Sequence, residues 1–350
     1  MGKSTFLLNE IFDEIDRGDR ALVYIDPHGE NSLALLDALP RRSIKNTCYI
    51  DCSTTTNAVG FNPLVNPIHT LSGLKSIWID SWGPRMEWLL LNDLLLLSET
   101  GCTLKDLPRL HYDIAFRERL LDTTTNKELL KFWRKEYPAK YDKSKDNPDS
   151  PILNKIGQLN ASFISYILNQ THPKLNLYKL LSEKGLIVLN LSKPTIGDEA
   201  AAILGSLFTT TIRGVLLKHP TPTSLYADEF QTYGTSIFAA MLSEMRKFGL
   251  KLVLCHQFIS QVDESLQRAI LGNVQHNIIF NVDHDDAVVL SKSYNRTHQQ
   301  FNPNAITELA PYEAFVDGVK QKQSPFCPPY GTGKLEDVAA TSRLFFGRKL

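Results

Sequence analysis

Net charge, long apolar runs and paired cysteines are all scarce in this 350-residue chain. Its 38 basic and 38 acidic residues cancel, which removes any overall field that would draw it onto a polyanion and leaves only a local surface for nucleic acid. The five cysteines, Cys48, Cys52, Cys102, Cys255 and Cys327, contain no C-x-x-C pair, and the odd count fits a reducing cytoplasm better than a disulfide framework. The most apolar run, residues 89–97, is interrupted by Asn92 and Asp93 and falls short of the roughly 20 residues a spanning helix needs. Residues 6–8 lead into acidic residues, not into the apolar core and small-residue cleavage site of a signal peptide. No internal repeat is visible. The expectation is a cytoplasmic chain that neither spans a membrane nor is exported. Its 43% hydrophobic and 22% charged content suffices for two domains, or for one large domain with an insertion.

Short apolar runs punctuate the chain: ALVYID (21–26), TCYID (47–51), LIVLNLS (186–192), SLYADE (224–229), LKLVLCH (250–256), NIIFNV (277–282) and EAFVDG (313–318). Continuous apolar strands alternating with helical patterns predict an α/β fold with a mainly parallel sheet and helices on both faces. Between residues 81 and 178 the alternation stops and helical patterns such as MEWLLLNDLLLL and NKELLKFWRKEY take over. The expected division is a first part of the core at 1–80, an all-α insertion at 81–178, a second part of the core at 179–320 and a C-terminal tail at 321–350. The polar loop KYDKSKDNPDSP (140–151) reads as an exposed linker. Residues 127–145 hold seven Lys or Arg against three acids, a pattern that a solvated helix face explains.

The chain opens MGKSTFLLNE. In the phosphate-binding loop G-x-x-x-x-G-K-[ST], backbone N–H groups cradle phosphates, the lysine reaches the terminal phosphates and the hydroxyl meets Mg2+. Gly2, Lys3, Ser4 and Thr5 match only its second half, and a helix start with a small cap reads the same way. The run Phe6, Leu7, Ile11, Ile15 continues this start as an amphipathic helix whose first-turn N–H groups would face an anion. The run SLYADEFQ ends in Asp228 and Glu229. Adjacent acids at a strand end suit an Mg2+ ligand followed by a water-polarising base, and they also suit a plain strand end capping the next helix. The following strand ends in His256 and Gln257; Gln257 could reach a terminal phosphate or satisfy loop backbone. Asp26-Pro27-His28-Gly29 ends another strand, with His28 read as a structural hydrogen-bonder. Ligands of open α/β sheets lie outside the carboxyl ends of the strands, so these signals converge.

In their order, GKST, DPHG, GFNPL (60–64), TLKDLPRLHYD, YADEFQTYG, SEMRKFGLKLVLCHQFISQ and GNVQHNIIFNVDHDDAVVL resemble the conjugative coupling-protein ATPases of the VirD4 and TraD type, within the HerA and FtsK group of translocases. The resemblance runs from Gly2 to about Gly318. It implies a RecA-like P-loop NTPase core that uses ATP and Mg2+. It assigns Lys3 to the phosphates, Ser4 and Asp228 to Mg2+, Glu229 to the attacking water and Gln257 to sensing. Arg246 becomes an arginine that enters a neighbouring subunit's site, which requires a head-to-tail homo-oligomer, expected as a hexameric ring; on residues alone Arg246 would pair with Glu244 or another acid. The implied function is ATP-driven movement of DNA or nucleoprotein cargo in conjugation or type IV secretion, at the inner face of the membrane through partners, with the all-α insertion facing the cargo.

Two departures from the family pattern stand out. The leading glycine of the loop, the strand before it and the membrane anchor of many coupling proteins precede the given start, as in a chain truncated inside the loop. Residues 1–350 are accordingly expected to hydrolyse ATP poorly beside a chain extended upstream. Second, PPYGTGKLED (328–337) imitates a phosphate loop with Pro328 where the first glycine belongs and Leu335 where Ser or Thr belongs; it reads as a flexible turn. Two other functions stay open: a non-catalytic assembly or cargo-binding relative, and a ring ATPase that moves protein.

Overall fold

The computed structural model describes residues 2–348 except 55, 57, 141–149, 162–163, 234, 260–261, 263 and 295–301. Residues 141–149, most of the predicted linker, thus lie outside the described residues.

Five strands, β1 (Ala21–Asp26), β2 (Thr47–Asp51), β3 (Leu186–Asn190), β4 (Thr223–Ala227) and β5 (Leu250–Leu254), form one sheet in the order β2-β3-β1-β4-β5. Every pairing is parallel. The central strand β1 is buried along its whole length, which requires apolar residues on both faces and explains why ALVYID carries no polar alternation. Ala21, Val23 and Ile25 join one apolar core, whereas Leu22 and Tyr24 join the other. The register pairs Asp26 with Asn190 and Asp51 with Asn190, so the strands' carboxyl ends line up along one edge. β5 closes one side of the sheet and is mostly half-buried.

Helices cover both faces. The first helices are α1 (Lys3–Arg17), α2 (Glu30–Asp37), α3 (Pro67–Ile77), α4 (Pro84–Glu99), α5 (Leu107–Tyr112) and α6 (Ile114–Thr123). They are followed by α7 (Lys127–Lys131), α8 (Tyr137–Lys140), α9 (Ser150–Ala161), α10 (Ile164–Leu168), α11 (Leu177–Ser182) and α12 (Lys193–Ile196). The remainder are α13 (Asp198–Lys218), α14 (Thr235–Glu244), α15 (Glu264–Asn273), α16 (His284–Tyr294), α17 (Pro303–Thr307) and α18 (Leu335–Phe346). α1 packs Leu7, Leu8, Ile11 and Phe12 into the same core as α2 and Val338 of α18. Each such buried side chain contributes about 1.5–3 kcal/mol, which anchors Lys3 at the helix start. α13 is long and apolar enough to cross a membrane, with mean hydropathy 1.6, but most of it is buried inside the protein, where it backs the sheet as a core helix. From α3 to α11 the described elements are helical, and their core is continuous with that of the sheet: Leu89, Trp133 and Ile156 belong to the same apolar cluster as Val23.

Several strand expectations are adjusted. SLYADE stops being strand at Ala227, so Asp228 and Glu229 stand just beyond the sheet. NIIFNV keeps only β6 (Ile278–Ile279), which pairs antiparallel with β7 (Glu313–Val316). β7 continues into an unexpected β8 (Val319–Lys322), and these three strands form a second sheet. β8 is exposed throughout and rich in lysine, which hides it from a reading based on apolar runs and also protects an open edge.

The imitation loop is not a flexible turn. The backbone N–H groups of Gly333, Lys334 and Leu335 donate to Asp37 Oδ1 at 2.9, 2.9 and 3.1 Å. Lys334 Nζ turns back onto the carbonyls of Tyr330 and Gly331. The anion at this helix start is a carboxylate of the chain itself, which binds α18 to α2.

Candidate functional site

At the carboxyl edge of the sheet a cavity of about 310 Å3 is lined by Lys3, Ser4, His28, Glu30, Asn31, Pro194, Asp228, Glu229 and Gln257. Five residues named from sequence, Lys3, Ser4, Asp228, Glu229 and Gln257, therefore share one hollow, although they come from α1, the end of β4 and the end of β5. Gly2 caps α1 and Thr5 lies in its first turn, beside the hollow. The backbone ladder of α1 begins with Phe6 N–H donating to Gly2 O at 2.9 Å, so the preceding first-turn N–H groups have no partner within the helix and present the positive end of its dipole. Gly2 has φ 127°, and a β-carbon there would lie 2.7 Å from the Phe280 ring. Both the conformation and the close approach require glycine.

The two acids are held differently. Asp228 is buried; its backbone N–H donates to Ile25 O at 3.1 Å and its side chain accepts from Asn31 Nδ2 at 3.4 Å. Burial, reinforced by the Asp26 carboxylate, pushes its carboxyl up to about 6. Glu229 adopts the left-handed region at φ 43°, a conformation that costs a non-glycine residue about 1 kcal/mol. Its neighbours hold it there. Phe230 N–H donates to Cys255 O at 3.2 Å, and the Tyr233 hydroxyl donates to Asp228 O. The Glu229 carboxylate meets His28 Nε2 at 2.9 Å and Gln257 Nε2 at 2.5 Å.

The turn after β1 is rigid. Asp26 accepts from the backbone N–H of His28 at 3.0 Å and of Ser32 at 2.7 Å. Gly29 has φ 95°, and a β-carbon there would come within 2.5 Å of Asn190 Oδ1. Asn190 in turn accepts from Ser192 N–H and donates to Tyr49 OH, both at 2.9 Å. The sequence reading passed over Asn31, Glu30 and Pro194, which line the hollow without a distinguishing residue pattern. The Asp26 cap was visible only as D-P-H-G.

His256 points elsewhere: it packs on Phe230 at 5.6 Å between ring centres, and burial holds its pKa below the usual imidazole value. Arg246 does not line the hollow. It is exposed in the 245–248 turn that enters β5, one strand length, about 16 Å, from the carboxyl edge. Glu244 pairs with Arg213 at 3.0 Å, so of the partners read for Arg246 this acid is engaged by another arginine. In the basic tract, Lys131 lies near Glu128 and Glu136, and Arg134 pairs with Glu118 and Asp122; Lys143 and Lys145 lie outside the described residues.

The donor set fits a magnesium nucleotide. Among the described residues no group of three or more His, Cys, Asp or Glu could hold a metal by itself, but Mg2+ takes few protein ligands and completes its shell with phosphate oxygens and water. Ser4 and Asp228 offer one hydroxyl and one carboxylate. The raised proton affinity of Asp228 comes first from burial and then from the Asp26 charge, and a cation at the carboxylate would offset both.

No family model matches the chain, and no curated protein matches it by sequence. Solved structures do. The unbound bacterial conjugative coupling protein TrwB superposes with TM-score 0.63 at 15% identity, covering 95% of this chain and 84% of that one. TrwB in complex with ADP and Mg2+ gives TM-score 0.61 at 15% identity, over 95% and 86%. VirB4 of Thermoanaerobacter pseudethanolicus gives 0.63 at 15% identity, over 94% and 87%. The parallel sheet, the helices on its two faces and this breadth of superposition establish that the chain has the RecA-like α/β P-loop NTPase fold of TrwB and VirB4.

Proposed function

We propose that the chain is a nucleotide-hydrolysing subunit of the conjugative coupling-protein type, which couples ATP hydrolysis to movement of DNA or nucleoprotein. The observation that carries this reading is the convergence of Lys3, Ser4, Asp228, Glu229 and Gln257 on one hollow at the start of α1. Lys3 and the first-turn N–H groups hold phosphate oxygens. Ser4 and Asp228 would hold Mg2+, which when bound would neutralise charge on the phosphates. Glu229 orients and polarises the attacking water, and Gln257, which shares its carboxylate, carries the state of the site into β5. The complex of TrwB with ADP and Mg2+ supports the choice of ligand. Arg246, remote from its own chain's hollow, suits a site completed by the next protomer of a ring.

Fluorescent ATP-analogue binding with Mg2+, followed by turnover with and without DNA, tests the reading. Lys3→Ala is expected to lower nucleotide affinity at least tenfold. Glu229→Gln is expected to keep the affinity and to lose about 10²–10⁴-fold in turnover. Binding that is indifferent to Lys3 would remove the nucleotide assignment. Turnover that ignores DNA would favour a protein cargo.

A further inference from the structure

We infer that His28 is a positioning residue for Glu229, holding the carboxylate at the angle from which it meets water; the inference rests on the hydrolytic reading above. Three observations carry it. First, Glu229 has partners on both oxygens, Oε2 with His28 at 2.9 Å and Oε1 with Gln257 at 2.5 Å. A carboxylate only accepts, so the imidazole Nε2–H donates. Second, the two partners come from different strands, β1 and β5, which flank β4 in the sheet. The acid at the tip of the middle strand is gripped from either side. Third, the backbone that carries His28 is fixed: its N–H is tied to buried Asp26, and the following Gly29 lies too close to Asn190 to accept a β-carbon.

A free glutamate side chain loses rotamer freedom when fixed, and a base must be held within about 0.5 Å of its productive position. Glu229 takes the left-handed conformation just beyond β4, where its backbone N–H donates to Asp228 Oδ1 at 3.1 Å; that bond fixes the backbone and leaves the carboxylate to its own partners. The grip of His28 and Gln257 supplies that fixation. The other charged groups around the hollow, Lys3, Glu30 and Asp228, make no hydrogen bond to the imidazole, so Glu229 is its specific partner.

The test has a spectroscopic arm and a kinetic arm. In the chain labelled with 15N-histidine and held at one pH, the Nε2 signal of His28, identified by its loss in His28→Gln, is expected to move in Glu229→Ala. An unmoved signal overturns the inference. In turnover assays His28→Ala is expected to lower kcat about tenfold while fluorescent ATP-analogue affinity stays within twofold. His28→Gln, whose amide can donate to the same oxygen, is expected to recover at least half of that loss. Adding His28→Ala to Glu229→Gln should lower kcat no further. An unchanged or raised kcat in His28→Ala, or a glutamine variant as poor as the alanine one, overturns it too. If the unsubstituted chain binds no nucleotide, the hydrolytic reading fails; if it binds nucleotide and turns none over, the kinetic arm moves to the chain extended upstream; in both cases the spectroscopic arm still decides whether His28 holds Glu229.

Discussion

Asp228 takes up a proton at a higher pH than an exposed aspartate because it is buried and faces Asp26. Its carboxyl, raised from 3.8 to about 6, stays protonated in the fold through a window in which the unfolded chain has already ionised. The native state binds the extra proton there, so stability falls as pH rises from about 4 to 6 and the full penalty persists above that window. A shift of this size corresponds to about 3 kcal/mol. Asp228→Asn is therefore expected to raise the melting temperature by several degrees at pH 7.5 and to leave it unchanged at pH 4, as thermal melts at the two pH values would read. Equal melts at pH 7.5 would mean that Asp228 carries no such penalty. The same residue shows what sequence leaves open: an acid pair at a strand end serves capping and metal binding equally well, and the burial of Asp228 beside a second carboxylate, 202 positions away in the chain, enters only with the fold.

At the scale of elements, α18 shows what a misleading motif does. The sequence G-T-G-K suggests phosphate, and the fold uses the same N–H cradle for Asp37, whose carboxyl those donors hold below the usual range. α18 is further tied by Ser342 Oγ, which accepts from Tyr49 N–H at 2.8 Å. A carboxylate depressed in the fold stabilises while ionised and ceases to as pH falls through its folded pKa. Asp37→Ala should release the first turn of α18, with faster proteolysis around residues 328–335 at neutral pH. The difference from the unsubstituted chain should shrink under acid conditions, as an acid-active protease would reveal. The strands of the large sheet were legible because a strand buried on both faces must be continuously apolar. β8 was not, because an exposed antiparallel edge carries no such requirement.

At the scale of the whole molecule, Arg246 and the hollow occupy opposite ends of the sheet, so no movement of a single side chain brings them together within one protomer. If the next protomer supplies the arginine, chains carrying Arg246→Ala and chains carrying Glu229→Gln are each inactive alone. Mixed in equal amounts, they should regain turnover at about one site in four, from random assembly of head-to-tail interfaces. Absence of recovery in mixtures that demonstrably co-assemble would assign Arg246 a role inside its own chain. In the described part of the basic tract, Lys131 and Arg134 pair with acids of the chain itself.

Local chemistry by itself determined the α/β class, the apolar runs from which the five parallel strands form and the residues that lie at their carboxyl ends, because apolar continuity and strand-end acids are properties of a few consecutive residues. Only the tertiary structure decided which of those ends become neighbours. His28 and Glu229 are 201 positions apart, Gly333 and Asp37 are 296 apart, and Arg246 does not line the hollow of its own chain. Strand order and register create these proximities and separations, and both are set by how whole faces of apolar surface pack together, a property that no short stretch of sequence contains.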